Sequence, residues 1–215
     1  MFATKSGMVK KTVMSAYDRS RRDGLIAINL RDDDALLAVR RVREGDKIIL
    51  ATTAGKAIMF SGEQVRATGR DTSGVRGISM KDGVSVLGME VTNGNGDLFV
   101  ITERGYGKRT PVADYPEQNR GGQGLKTYQI TQKTGEIVGA KKVTGEEDIL
   151  LVSDDGTIIR MEAGSISLLG RATQGVRLMR PAEGAHVVAM ARTEREASEE
   201  ETAEPGESAV EITEE

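Results

Sequence analysis

Cysteine and tryptophan do not occur in this chain, and tyrosine and phenylalanine together make up only 3% of it. Without cysteine there are no disulfides and no thiolate metal sites, which fits a reducing, cytoplasmic location. The scarcity of aromatic rings leaves little to stack on unpaired bases, which argues against a single-stranded nucleic acid as ligand. No apolar run approaches the roughly 18 residues of a membrane span, and the opening "MFATKSGMVKK" has neither the basic leader nor the apolar stretch of a signal peptide. A single histidine, His186, would have to serve every candidate Ser-His-Asp arrangement, so nucleophilic catalysis has no constellation to rest on. Asp32, Asp33 and Asp34 lack the EF-hand spacing and read as a solvated turn. Tyr17, Tyr106, Tyr115 and Tyr128 show no pattern suggesting a nucleophile. The chain reads as non-catalytic, with no metal site and no cofactor of its own.

What is abundant is glycine, 26 in 215 residues, and charge of both signs, unevenly placed. Residues 192–215 hold ten Glu and two Arg, a net −8. Subtraction from 30 basic and 33 acidic residues leaves 28 and 23 in residues 1–191, a net +5. A basic body therefore carries an acidic tail too poor in apolar residues to fold, and the tail is expected to be disordered. It reads either as a solubilising end or as an internal competitor for an anion bound by the body.

The glycines are periodic. "MFATKSGMVKKT", "IILATTAGKAIMF", "LFVITERGYGKRT" and "ILLVSDDGTIIRM" align on Gly7, Gly55, Gly105 and Gly156, spaced 48, 50 and 51 residues apart. Glycine closing a two-residue turn between alternating runs predicts type I′ hairpins. A second glycine follows each turn: Gly24 in "DGLIAINL", Gly74 in "SGVRGISM", Gly124 in "QGLKTYQI" and Gly175 in "QGVRLMR". A last run closes each unit, with Leu37, Leu87, Val138 and Val188 in matching places. Each unit supplies four short strands and no convincing helix. Four-stranded units at this period predict an all-β, propeller-like array of four blades, about 1–42, 43–92, 93–143 and 144–191.

One stretch, "NRGGQGLKT", superficially suggests a nucleotide-binding P-loop. That motif needs glycine before its lysine, and Leu125 stands there; a strand rather than a helix follows. What recurs instead is positive charge. After the hairpin turns come Lys10, Lys11, Lys56, Lys108, Arg109 and Arg160. Around the second glycines come Arg19, Arg21 and Arg22, then Arg66, Arg70 and Arg76, then Arg120 and Lys126, then Arg171 and Arg177. Any single one reads most simply as a solvated loop charge. Radial repetition would align the set on one rim, where it suits a polyanion passing from blade to blade. Duplex DNA is the natural candidate: phosphate neutralisation gives strong, sequence-tolerant binding. Bending 20–30 bp through 40–90° costs on the order of 1–6 kcal/mol, which several phosphate contacts per blade can offset.

With "NGNGDLFVITERGYGKRTPVADYP", "GRDTSGVRGISM" and "GRATQGVRLMRPAEG" in view, residues 1 to about 191 resemble the C-terminal domain of bacterial DNA gyrase A, part of a type IIA DNA topoisomerase. The resemblance implies a β-pinwheel, a propeller-like disc of six blades that exchange strands, with a basic rim that wraps duplex DNA during ATP-dependent negative supercoiling. It implies as partners the remainder of gyrase A and the gyrase B protein, with ATP and magnesium bound elsewhere in the complete enzyme. The family's gyrase box, glutamine and two arginines before Gly-Gly-Lys-Gly, has only a degenerate counterpart in "QNRGGQG". On that basis the chain is expected to be the last four blades plus the tail, with the box and the catalytic tyrosine upstream. The related C-terminal domain of topoisomerase IV and a propeller-like protein-interaction scaffold are the alternatives.

Overall fold

In the computed structural model, residues 1–18 and 23–195 are described. The chain forms fifteen strands whose grouping follows the repeat. The first unit gives β1 (Phe2–Thr4), β2 (Met8–Lys10) and β3 (Leu36–Val39). The second gives β4 (Lys47–Thr52), β5 (Lys56–Ser61), β6 (Val75–Arg76) and β7 (Val86–Thr92). The third gives β8 (Asp97–Thr102), β9 (Tyr106–Pro111), β10 (Leu125–Lys126) and β11 (Ile137–Val143). The fourth gives β12 (Glu147–Ser153), β13 (Ile158–Glu162), β14 (Val176–Arg177) and β15 (Val187–Glu194). A single 3-10 turn follows each hairpin, and no described helix is long and apolar enough to cross a membrane.

Units and sheets do not coincide. The strand orders are β3-β1-β2-β6, β10-β5-β4-β7, β11-β8-β9-β14 and β13-β12-β15, all antiparallel. The two-residue strand after each second glycine crosses to the hairpin of the preceding unit, so blades exchange strands as a pinwheel requires. The fourth sheet has three strands among the described residues, with none lent to β13. The run opened by Gly24, which the sequence predicts as a strand, is not one among the described residues.

The last strands, β3, β7, β11 and β15, pack beside one another in succession and define the inner side of the array. Small residues allow this approach: a Cβ at Gly88 would lie 2.7 Å from the carbonyl oxygen of Ala140, and one at Gly139 would lie 2.8 Å from Met190 Cγ. The strands lent between units lie at the opposite, outer edge. The cores sit between sheets. On β4, Ile48 and Leu50 pack towards the first sheet, and Ile49 and Ala51 towards the third. On β8, Leu98 and Val100 face the second sheet while Phe99 and Ile101 face the fourth. This period of two explains why β4 and β8 read as continuous apolar runs: both of their faces are buried.

The hairpins differ from expectation. A type I′ turn has positive φ at both central residues, but of Ser6-Gly7, Ala54-Gly55, Arg104-Gly105 and Asp155-Gly156 only the glycines do. Only the glycine is left-handed, and its N–H donates to the carbonyl three residues back, as Gly105 does to Thr102 at 2.9 Å. The turns are therefore three-residue hairpins closed by a left-handed glycine. The boundary of the tail also moves. Residues 192–194, expected to be tail, complete β15, because Arg192 donates to the carbonyl of Lys142 at 2.9 Å and lies 3.6 Å from Glu147. Arg195, also expected to be tail, is described and donates to the Gly145 carbonyl at 3.0 Å; the remaining expected disordered residues, 196–215, lie outside the described residues.

Gly105 and Gly156 hold equivalent turns with similar φ, +77° and +85°, yet a Cβ at Gly105 would sit 2.1 Å from the carbonyl oxygen of Met179, while one at Gly156 meets nothing within 4 Å. Both alanine variants carry the left-handed penalty of about 1–2 kcal/mol. Gly105→Ala is expected to cost at least about 1 kcal/mol more than Gly156→Ala in denaturant unfolding; equal costs would contradict the close approach.

Candidate nucleic-acid interface

The outer edge is where repetition leaves cations exposed. Arg76, Lys126 and Arg177 each stand two residues beyond the second glycine, on β6, β10 and β14, and all three are exposed. Close packing fixes the lent strands: a Cβ at Gly74, Gly124 or Gly175 would meet a carbonyl of the receiving hairpin at 2.4, 2.7 and 2.5 Å. One consequence is that Lys126 lies directly opposite Lys56 in the β10–β5 register. Like charges directly opposed across a ladder are destabilising, and neither lysine has a carboxylate partner among the described residues. A cavity of about 280 Å³ opens beside Lys56 and is also lined by Thr52, Ser79, Lys81 and Gln123. Ala54, Ile78, Met80 and Val84 complete the lining of the cavity.

In the next sheet Arg177 lies opposite Tyr106, donates Nε and Nη2 to its hydroxyl at 3.1 and 2.5 Å, and stacks 4.9 Å from the ring centroid. Lys133 lies 5.3 Å from the same ring. Beside them a depression is lined by Arg104, Arg177, Arg180 and His186. A tyrosine hydroxyl that accepts these bonds brings no carboxylate to the cluster, which keeps its positive charge.

The cations after the hairpin glycines have other fates. Lys10 and Lys108 were expected at the rim, but both are buried, at 1% and 0% exposure. Lys10 Nζ donates to the carbonyls of Ala27 and Arg70 and lies 5.1 Å from the Phe2 ring. Lys108 Nζ donates to the carbonyls of Gly170 and Arg171, both at 2.6 Å, and to Thr173 Oγ1 at 3.0 Å. They point into the junction with the following unit, where phosphate cannot reach them. Burial lowers the pKa of both; for Lys108, with Arg171 adding to it, the value falls to about 8. Lys11 donates to the Gly62 carbonyl at 2.7 Å. Arg109 is spent on Asp97 and the carbonyls of Ile166 and Gly164. Arg160 is exposed but bonded to Asp148 at 2.8 Å and to the Glu194 carbonyl.

Of the remaining expected residues, Lys56 is half-buried and Arg66 exposed. Arg70 donates to the Ile26 carbonyl at 3.0 Å, and Arg171 lies over the Tyr115 ring. Arg120 turns inward, onto the carbonyls of Gln64 and Arg76. Arg19, Arg21 and Arg22 lie outside the described residues. The single band expected from the sequence thus divides into an exposed outer set, a buried pair, Lys10 and Lys108, and cations engaged within the fold. The sequence reading missed Lys81 and Lys133, which stand at equivalent places two residues before Gly83 and Gly135, and Arg104 and Arg180, which have no basic equivalents in the other units.

A family model described as the DNA gyrase C-terminal domain, a β-propeller, matches residues 1–43, 46–93, 96–144 and 147–194. The DNA gyrase A protein of Staphylococcus aureus strain MRSA252 is 44% identical over 202 residues, which cover 93% of this chain and 23% of that protein. The Staphylococcus epidermidis gyrase A protein is 44% identical over 198 residues, 91% of this chain and 22% of its own. The chain thus spans less than a quarter of these curated relatives. Among solved structures, a DNA gyrase A C-terminal domain matches with TM-score 0.79 and 28% identity, covering 89% of this chain and 64% of that one. The C-terminal domain of a DNA topoisomerase IV matches with TM-score 0.84 and 25% identity, covering 90% and 61%.

Because Lys108 binds its proton more weakly in the folded chain than in the unfolded one, the unfolded chain holds more protons between about pH 8 and the ordinary lysine range. The Lys108 contribution to stability is therefore expected to rise with pH across that window. Comparing wild type with Lys108→Met by denaturant unfolding at pH 7 and pH 9.5 isolates it: the gain on raising the pH should be smaller in the variant. An identical gain in both would contradict it.

Proposed function

The chain belongs to the DNA gyrase C-terminal domain family, and from that premise we propose that it binds duplex DNA along its outer edge and wraps it, as part of a gyrase A protein that works with gyrase B in ATP-dependent negative supercoiling. The observation that carries the reading is the outer-edge charge that the fold leaves uncompensated: Arg76, Lys126 and Arg177 at equivalent places on successive sheets, with Lys56 forced opposite Lys126. A phosphate between two opposed lysines removes the repulsion that the strand register imposes. Three sheets in succession offer such groups, so a duplex lying across them meets phosphate-binding groups on each of the three and is held bent. Nothing in this set is built to read bases, which fits contacts that position the backbone without sequence preference. The fold alone matches the topoisomerase IV domain as well as the gyrase domain, but the 44% identity to gyrase A proteins and the family match favour gyrase. Because the relatives are far longer, the supercoiling activity, its ATP and magnesium, and the partnership with gyrase B belong to this proposal, as does a cytoplasmic location.

Replacing Arg76, Lys126 and Arg177 together by alanine is expected to lower the slope of log affinity against log salt by about 0.9 per lost phosphate contact, hence by two to three in all. Fluorescence anisotropy with a labelled duplex at several salt concentrations reads this directly. An unchanged slope would remove the outer edge from the interface.

Residues 196–215 contain nine Glu and no Lys or Arg, so without them the chain carries +6 rather than −3. As an internal competitor for the basic edge, this segment should weaken binding, most strongly at low salt. Deleting it is expected to tighten duplex binding at low salt and to matter less as salt rises. Equal affinity with and without it would leave the segment a solubility device.

A further inference from the structure

The lent strands hang from loops, and those loops are held in two different ways. In the first and third units the residue three places beyond the hairpin glycine is lysine, Lys10 or Lys108; in the second it is Ile58. Lys108 bonds the carbonyls of Gly170 and Arg171 and the hydroxyl of Thr173, all in the loop before Gly175. Lys10 bonds the carbonyl of Arg70 in the loop before Gly74. Ile58 can bond nothing, and its Cδ1 lies where a Cβ at Gly122 would come within 3.5 Å.

The loop arginines vary in step. Arg70, Arg120 and Arg171 each stand four residues before the second glycine. Above Lys108, Arg171 makes no side-chain hydrogen bond among the described residues and rests 5.8 Å from the Tyr115 ring centroid. Above Lys10, Arg70 gives one exposed bond to Ile26. Above Ile58, Arg120 itself becomes the clamp: its guanidinium reaches the carbonyls of Gln64 and Arg76, and its N–H donates to Gln64 Oε1 at 2.7 Å. Burying an ammonium without a carboxylate is costly, and an apolar residue suffices for packing at this place in the second unit. The cost is matched by a loop held from beneath, so that half-exposed Arg171 and Arg70 are not needed as its clamps.

We propose that the buried lysine after the hairpin glycine is a positioning residue for the phosphate-binding edge: Lys108 holds the 170–173 loop so that Arg171 and Arg177 face DNA, and Lys10 does the same for Arg70 and Arg76. The inference rests on the DNA-binding reading given above and identifies how that interface is kept in place. It also makes the edge uneven, with one exposed and one half-exposed arginine above each lysine, and Lys126 with the clamped Arg120 above Ile58.

Two measurements on Lys108→Ile decide it. In the free protein, amide hydrogen exchange of residues 170–177 is expected to accelerate at least tenfold, while the 119–126 loop is unchanged. In duplex binding, the variant is expected to lose about two from the salt slope, one each for Arg171 and Arg177, against about one for Arg171→Ala, with the double variant losing no more than Lys108→Ile alone. Lys108→Gln, which keeps an amide donor, should fall between wild type and Lys108→Ile in both measurements and decides the matter if the isoleucine variant does not fold. Unchanged exchange in 170–177 overturns the clamp. Accelerated exchange with an unchanged salt slope, or additive losses in the double variant, overturns the positioning role while leaving DNA binding intact. Absence of duplex binding by the wild type at low salt would overturn the DNA-binding reading and the positioning role with it, while the exchange result would still report on the clamp itself.

Discussion

The structure depends on one close contact made three times. A glycine in the left-handed region brings its strand so near the hairpin of the preceding unit that a Cβ would lie 2.4–2.7 Å from a hairpin carbonyl. Reciprocally, the hairpin glycines of the first three units leave room for the residues that follow: Gly77, Thr127 and Leu178 donate to the carbonyls of Gly7, Gly55 and Gly105 at 2.7 to 2.8 Å. This interlock turns a linear repeat into a mutually dependent array, since no sheet that receives a lent strand is complete without its neighbour. It also sets where charge emerges, because the residue two places beyond the second glycine is carried to the outer edge of a sheet that belongs to another unit.

From that placement the electrostatics follow. Backbone register, rather than side-chain choice, opposes Lys56 to Lys126 and lays Arg177 over Tyr106. The inner cations serve a different end: Arg109 ties β9 to Asp97 and to the turn after β13, and Lys10 and Lys108 tie hairpins to the loops of the next unit. The chain thus spends part of its positive charge on cohesion between units and keeps the rest at the edge.

The architecture was legible because glycine spacing and apolar alternation are written directly in the residues. The period, the four strands per unit and the membership of a propeller-like family all come from Gly7, Gly74 and their equivalents. Turn type was not legible: a glycine at the end of a tight turn is compatible with both type I′ and the three-residue hairpin, and only the φ values of residues such as Ser6 and Ala54 separate them. Depth was not legible either. Lys108 and Arg109 are adjacent in "GYGKRT", and nothing in the letters says that the next unit's loop closes over Lys108. Arg104 and Arg180 escaped for the opposite reason: they line one depression with Arg177 but have no basic counterparts in the other units to align.

The central claim is that successive sheets present one continuous path for a duplex. Affinity as a function of duplex length, measured at fixed salt, tests it most directly. The account predicts that affinity and salt slope both rise as the duplex lengthens, until it spans the outer edges of the sheets, and then level off. Binding that is independent of duplex length and insensitive to salt would contradict it.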